Sequence, residues 1–225
     1  MSEPTKLWGG RFASGPSPEM AALSLSVHFD WRLAPYDLQQ SAAHAKVLHA
    51  AKLLSDDELS KMLNGISTLT QQVAKGEFKP TENDEDVHTA LERGLVELLG
   101  ADLGGKLRAG RSRNDQVSTD FRLYLRDASN ELQKLLKQLA IAFVEQADKY
   151  VDCAAPGFTH LQHAQPVSFG HELAKHAQAI LRDISRLEDW KSRHNFSPMG
   201  AGALAGSSLP LDPQGVAKEL GFIDA

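Results

Sequence analysis

Between two prolines the chain reads PGFTHLQHAQP (156–166). Thr159, His160, Gln162, His163 and Gln165 crowd a hydroxyl, two imidazoles and two amides into this short stretch. An imidazole titrates near neutral pH, so His160 could take up or give a proton during a reaction. Thr159, Gln162 and Gln165 could hold the polar groups of a substrate. The same residue types also suit a structural duty, satisfying the open backbone ends of neighbouring helices, and the pattern alone leaves both readings open. Metal binding by His160 and His163 needs further ligands. His171 and His176 do not supply them, because residues five apart lie on different faces of a helix. No metal is expected.

A second constellation is KLRAGRSRNDQ (106–116), which sets Lys106, Arg108, Arg111 and Arg113 among glycines in a chain of net charge −5. A helix start follows, where free N–H groups and the helix dipole attract anions. The planar fork of arginine matches a carboxylate, and Asn114 or Asp115 can cap the helix. The segment is either a small-anion site or a solvated basic loop. A third run, ENDEDVH (82–88), opens a helix with acidic and amide groups. Capping and dipole complementation account for most of it, with Asp86 and His88 remaining as site candidates. The fourth, PMGAGALAGSS (198–208), follows no strand and lacks a Gly-Lys-Ser/Thr ending, so both nucleotide fingerprints fail. It is a backbone that a ligand can approach closely, or a tight chain reversal.

The elements that must position these groups are helices. Residues 1–29 look like an irregular N-terminal arm. Helical patterns then run from Asp30 to about Leu54, from Asp56 to about Lys75 behind the capping box Ser55–Glu58, and from about Asp84 to Leu99. From Val117, apolar or small residues recur every three or four positions through Phe121, Leu125, Ala128, Leu132, Leu135, Leu139 and Ala142. This predicts one helix from about Asn114 to Val151, roughly 55 Å long. A second long helix, capped by Ser168, is predicted to about His194, antiparallel to the first. Strand signals are weak, and PGFTHLQHAQP is expected to be a loop. Two helices of this length cannot bury their apolar stripes on each other alone, so more helices are expected, from the rest of a longer protein or from copies of the chain. The expected fold is mainly α: residues 1–112 as arm and helical domain, and 113–225 as the start of a long-helix bundle, incomplete at its C-terminal end.

Bulk properties narrow the functional classes. Apolar residues make up 42% of the 225, enough for a sizeable core. The negative net charge argues against a nucleic-acid partner. A lone cysteine, Cys153, permits no internal disulfide. No secretory h-region or membrane-spanning run is visible, and a cytoplasmic protein is expected.

KLWGGRF (6–12), EDVH (85–88), GRSRNDQ (110–116), PGFTHLQHAQP (156–166) and SPMGAGALAGSS (197–208) stand in the order found in the argininosuccinate lyases. The chain resembles that family from Lys6 onward, along with its relatives the delta-crystallins. Departures are Ala109, Phe158, His163 and Met199, where Thr, Tyr, Arg and Leu are usual; His163 puts in doubt a cation at its position. The resemblance implies β-elimination of L-argininosuccinate to L-arginine and fumarate, in arginine biosynthesis, with no cofactor. It implies that His160 transfers a proton, with Thr159 beside it as a catalytic and substrate-contacting residue. It implies substrate contacts from Ser26, Asp30, Arg113, Asn114, Gln162 and Gln165, with Asp86, His88 and Arg111 in support. It also implies a homotetramer whose sites collect segments from three chains. A third signature, a mobile loop with a catalytic serine, is expected beyond residue 225, so this chain alone is expected to be inactive. The alternatives are a non-catalytic, delta-crystallin-like protein or another fumarate-forming lyase of the superfamily.

Overall fold

The computed structural model describes residues 17–225; the KLWGGRF stretch lies outside them. Among the described residues the fold is mainly α, with a single two-stranded antiparallel sheet. Contacts divide the chain into two units. One holds the described residues up to Leu123 together with Phe196–Ala225, the other Tyr124–Asn195.

The first unit opens with α1 (Pro18–Ser24) where an irregular arm was expected. Its signal is local: Ser17 caps the helix, Pro18 occupies the first helical position and Glu19 complements the dipole. After α2 (Val27–Asp30) and a 3-10 turn (Trp31–Leu33), α3 spans Ala34–Ala50. It stops short of the expected Leu54 because Lys52 takes a positive φ of 65°. The Leu53 N–H then closes on the Leu48 carbonyl at 2.9 Å, a wrap that ends helices. The capping box opens α4 (Asp56–Ala74) as the sequence predicts, with Ser55 N–H to Glu58 at 2.9 Å and Glu58 N–H to Ser55 Oγ at 3.3 Å. Next come α5 (Val87–Leu99), α6 (Ala101–Gly104) and a 3-10 turn (Gly105–Arg108). α5 begins later than expected: Asp84 is committed to Thr81 and Arg93, and Asp86 is the cap. The long α7 (Arg113–Lys149) begins in this unit, and α9 (Pro213–Glu219) lies in its last segment.

The core of this unit packs α3, α4 and α5 through fully buried Leu48, Met62, Leu69 and Val87. Each such aliphatic side chain contributes about 2 kcal/mol of transfer free energy. A second cluster joins Ala43 and Val47 of α3 to Leu123 of α7 and to Met199, Val216, Leu220 and Phe222 of the last segment.

In the second unit, α7 hands over to a hairpin of β1 (Ala154–Thr159) and β2 (Gln162–Ser168), and α8 (Phe169–His194) follows. The expected loop PGFTHLQHAQP is therefore a β-ribbon. Nearly all its side chains are exposed, so it shows none of the apolar alternation that marks a half-buried strand. Pro156 pairs with Pro166, two residues with no N–H to give a ladder. The register shifts between Pro156 and Phe158, and a Cβ on the intervening Gly157 would stand 2.8 Å from the Gln165 carbonyl oxygen. That bulge needs glycine. α8 runs back along α7, as predicted: Phe143 stacks on His176 at 5.4 Å and Lys191 Nζ reaches Asn130 Oδ1 at 2.5 Å.

Candidate functional site

The residues singled out by the sequence fall into two groups. Ser26, Asp30, Asp86, His88, Arg111, Arg113 and Asn114 belong to the first unit; Thr159, His160, Gln162 and Gln165 belong to the second. Arg113 is the first residue of α7, and the hairpin follows its last.

In the first group, Ser26 Oγ donates to Asp30 Oδ2 at 2.6 Å, and the other oxygen of Asp30 accepts the Val87 N–H at 3.1 Å. The Ser26 N–H meets the Glu85 carbonyl at 2.9 Å, tying the α2 start to the EDVH segment. Asp86 caps α5 through the Thr89 N–H at 2.7 Å, and its free oxygen lies 3.3 Å from Arg113 Nε. Arg113 also reaches Gln116 Oε1 at 3.3 Å, while Asn114 Nδ2 donates to the Ala203 carbonyl at 3.2 Å. Arg113 is half-buried and Asn114 exposed. Ser26, Asp30, Asp86, Arg113 and Asn114 thus form one linked rim around a helix N-terminus, a place suited to a carboxylate.

His88 and Arg111 turn inward. His88 Nδ1 donates to Asp37 Oδ2 at 2.6 Å, and Arg111 donates to Gln40 Oε1 and Ser41 Oγ at 3.0 Å each. Burial pushes the Asp37 carboxyl up, but His88, the Arg111 guanidinium and Gln116 outweigh it and hold it well below the usual carboxylate range. Asp37, Gln116 and Asp120 were not among the sequence candidates. A sequence signal exists for two of them: the run DQVSTD (115–120) is polar but for Val117, so some of its polar groups must fall on the face of α7 that packs.

His44 lies in the same buried layer, its Nε2–H donating to the Ala109 carbonyl at 3.0 Å. Burial and the Arg111 charge push it down to about 4 from the usual 6.5. As pH falls, the unfolded chain takes the proton first. His44 therefore supports folding above pH 6.5, and that contribution, up to about 3 kcal/mol, drains away as pH falls toward 4. Asp120 is shifted upward and opposes this trend. The His44 share is the part of the acid-induced fall in thermal midpoint that disappears in His44→Gln, measured between pH 7 and 4.5.

In the second group, the hairpin register pairs Thr159 with Gln162 and leaves His160 and Leu161 as the two turn residues. Both have positive φ, 49° and 61°, the pattern of a type I′ turn usually built from Asn and Gly. His160 therefore projects from an exposed tip, flanked by exposed Thr159 and Gln162. Gln165 is exposed on β2, and His163 packs its ring against Phe158 at 5.0 Å. His163 is thus engaged within the ribbon.

The family model described as lyase matches residues 10–225. Over 217 residues the chain is 65% identical to the argininosuccinate lyase of Frankia casuarinae, covering 96% of this chain and 47% of that one. It is 62% identical to that of Saccharopolyspora erythraea over 221 residues, covering 98% and 46%. It thus spans about half the length of these relatives. Among solved structures, an EDDS lyase in complex with formate superposes with a TM-score of 0.77 at 27% identity, over 90% of this chain and 39% of the other.

Proposed function

Because the chain belongs to the lyase family, we propose that the protein it is part of is an argininosuccinate lyase, cleaving L-argininosuccinate to L-arginine and fumarate in arginine biosynthesis. The observation that carries this is 65% identity across 96% of the chain to an argininosuccinate lyase. The geometry fits the chemistry. Arg113 and Asn114, at the N-terminal end of α7, receive a substrate carboxylate, and the negative charge that builds up during elimination is stabilised there. Ser26 and Asp30 complete that rim, with Asp30 facing the cationic end of the substrate. His160 moves a proton, and Thr159, Gln162 and Gln165 hold the substrate beside it. No cofactor or metal takes part.

As the family resemblance implies, a working site draws on several copies of the chain in a cytoplasmic homotetramer. Exposed Leu132, Leu135, Leu139, Ile141 and Val144 on α7 support that assembly, within a bundle domain beginning at residue 113. The catalytic serine comes from a third segment, which the family places after the portion described by these 225 residues. Among the described residues no helix is long and apolar enough to cross a membrane.

The test is fumarate release, followed by ultraviolet absorbance, from argininosuccinate, adenylosuccinate and aspartate in parallel. The full-length protein turns over argininosuccinate alone, and the 225-residue chain releases fumarate only when the remaining portion is supplied. Turnover of another substrate, or binding without turnover, refutes the assignment.

A further inference from the structure

The packing of α3, α5 and α7 encloses a charged cluster that touches no proposed substrate group. Asp37, His88 and Asp120 are all buried, and each brings one donor atom within 4.8 Å of the others. Gln116 Nε2 and His88 Nδ1 both donate to Asp37 Oδ2, at 2.5 and 2.6 Å. His88 Nδ1 stands 3.6 Å from Asp120 Oδ2. Asp120 is 0% exposed, and neither of its carboxyl oxygens meets a hydrogen-bond donor.

These are metal-ligand residue types, but the spacing is that of hydrogen bonds. Two atoms bound to one ion at about 2.0–2.2 Å, at angles near 90–110°, stand roughly 3 Å apart or more. Nδ1 and Oδ2 approach to 2.6 Å, which a shared proton explains and a shared ion does not. An ionised Asp120 with two bare oxygens would cost several kcal/mol in this interior; a carboxylic acid would not. The groups facing it are Asp37 from α3, His88 from α5, and Arg111 and Arg113 at the α7 start. The arginines act on it through charge alone.

We propose that Asp120 is a carboxylic acid that donates its proton to the Asp37 carboxylate, and that this pair positions Arg113 through Gln116. The relay is short. Asp37 accepts from the Gln116 amide nitrogen at 2.5 Å, and the Gln116 amide oxygen accepts from Arg113 at 3.3 Å. The bond to Asp37 therefore decides which end of the Gln116 amide faces the arginine. Burial and the neighbouring Asp37 both push the Asp120 carboxyl upward, in agreement. Asp37 and Asp120 are positioning residues, and only their kinetic consequence rests on the lyase reading.

The experiment uses the full-length protein. Its infrared spectrum at pH 7 shows the carbonyl stretch of an un-ionised carboxyl, and Asp120→Asn removes it; a spectrum with no such band overturns the pair. Asparagine mimics the neutral acid, so Asp120→Asn lowers kcat/KM by less than about threefold, whereas Asp37→Asn raises KM about tenfold with a smaller change in kcat. Equal damage from the two variants overturns the proposal. Amide exchange over Arg113–Asp120 quickens in Asp37→Asn and holds in Asp120→Asn; unchanged exchange in Asp37→Asn refutes the positioning role. Should Asp37→Asn fail to fold, Gln116→Met cuts the same relay and carries the same expectations. A parent protein that forms no fumarate sinks the lyase assignment, while the spectrum and the exchange still decide this one.

Discussion

His160→Asn in the full-length protein lowers argininosuccinate turnover about a hundredfold or more while changing KM by less than about threefold. The choice of asparagine follows from the turn. His160 and Leu161 both occupy the left-handed region, with φ of 49° and 61°. Most side chains resist that region, but asparagine enters it readily. The substitution therefore keeps the type I′ tip, with Thr159 and Gln162 still paired across it, and removes only the imidazole. His160→Val would instead lose the proton carrier and strain the tip together, and its kinetics would not separate the two. Two consecutive non-glycine residues in this region cost of order 1 kcal/mol or more each, and such strain is tolerated where the position of a side chain matters. Steady-state kinetics of parent and variant decide it. Full turnover by His160→Asn removes the imidazole from the mechanism and leaves the turn as a structural feature.

That turn also shows where sequence reasoning reaches its limit. The helices were legible because they obey local rules. Ser55 and Glu58 form their capping box, and the three-and-four spacing from Val117 onward predicts α7 within two residues of its observed ends. The hairpin was not legible. A ribbon exposed on both faces has no burial period, and a type I′ turn made of His and Leu lacks the Asn-Gly signature. Helix ends set by tertiary ties were missed as well: α5 starts at Val87 because Arg93, nine residues on, engages Asp84. The candidate site divided along the same line. Residues in the GRSRNDQ and GFTHLQ motifs were singled out by their chemistry and by family resemblance. Asp37 was hidden, since it looks in sequence like a polar position on an ordinary helix, and Asp120 had only the polar run DQVSTD to mark it. Only packing brings Asp37 to His88, fifty-one positions away.

Asp115→Ala destabilises the protein by about 4 kcal/mol, the largest stability loss expected of any single substitution near the site. Asp115 is buried, and its carboxylate collects three backbone donors: Ser112 N–H at 2.9 Å on one oxygen, Gly200 N–H at 3.1 Å and Gly202 N–H at 2.9 Å on the other. Hydrogen bonds to an ionised acceptor are worth about 1.5–3 kcal/mol each, and alanine would leave the donors beneath it without a partner. The same carboxylate joins the start of α7 to the glycine-rich segment. Gly200 and Gly202, at φ of 105° and 63°, aim their N–H groups at one oxygen in a way that side-chain-bearing residues rarely manage. Asn114 adds a second tie through the Ala203 carbonyl. Asp115→Asn keeps one acceptor oxygen and turns the other into a donor facing an N–H, so it falls between parent and alanine variant. Urea unfolding resolves the order, with the midpoint lowered and the slope unchanged. Because Arg113 and Asn114 flank this anchor, the folded fraction of Asp115→Asn also binds substrate more weakly than the parent. A loss under about 1 kcal/mol in Asp115→Ala would mean that the glycine segment is held by its own turns, and that the α7 start is positioned by its other ties, among them Asp86–Arg113 and Asp37–Gln116.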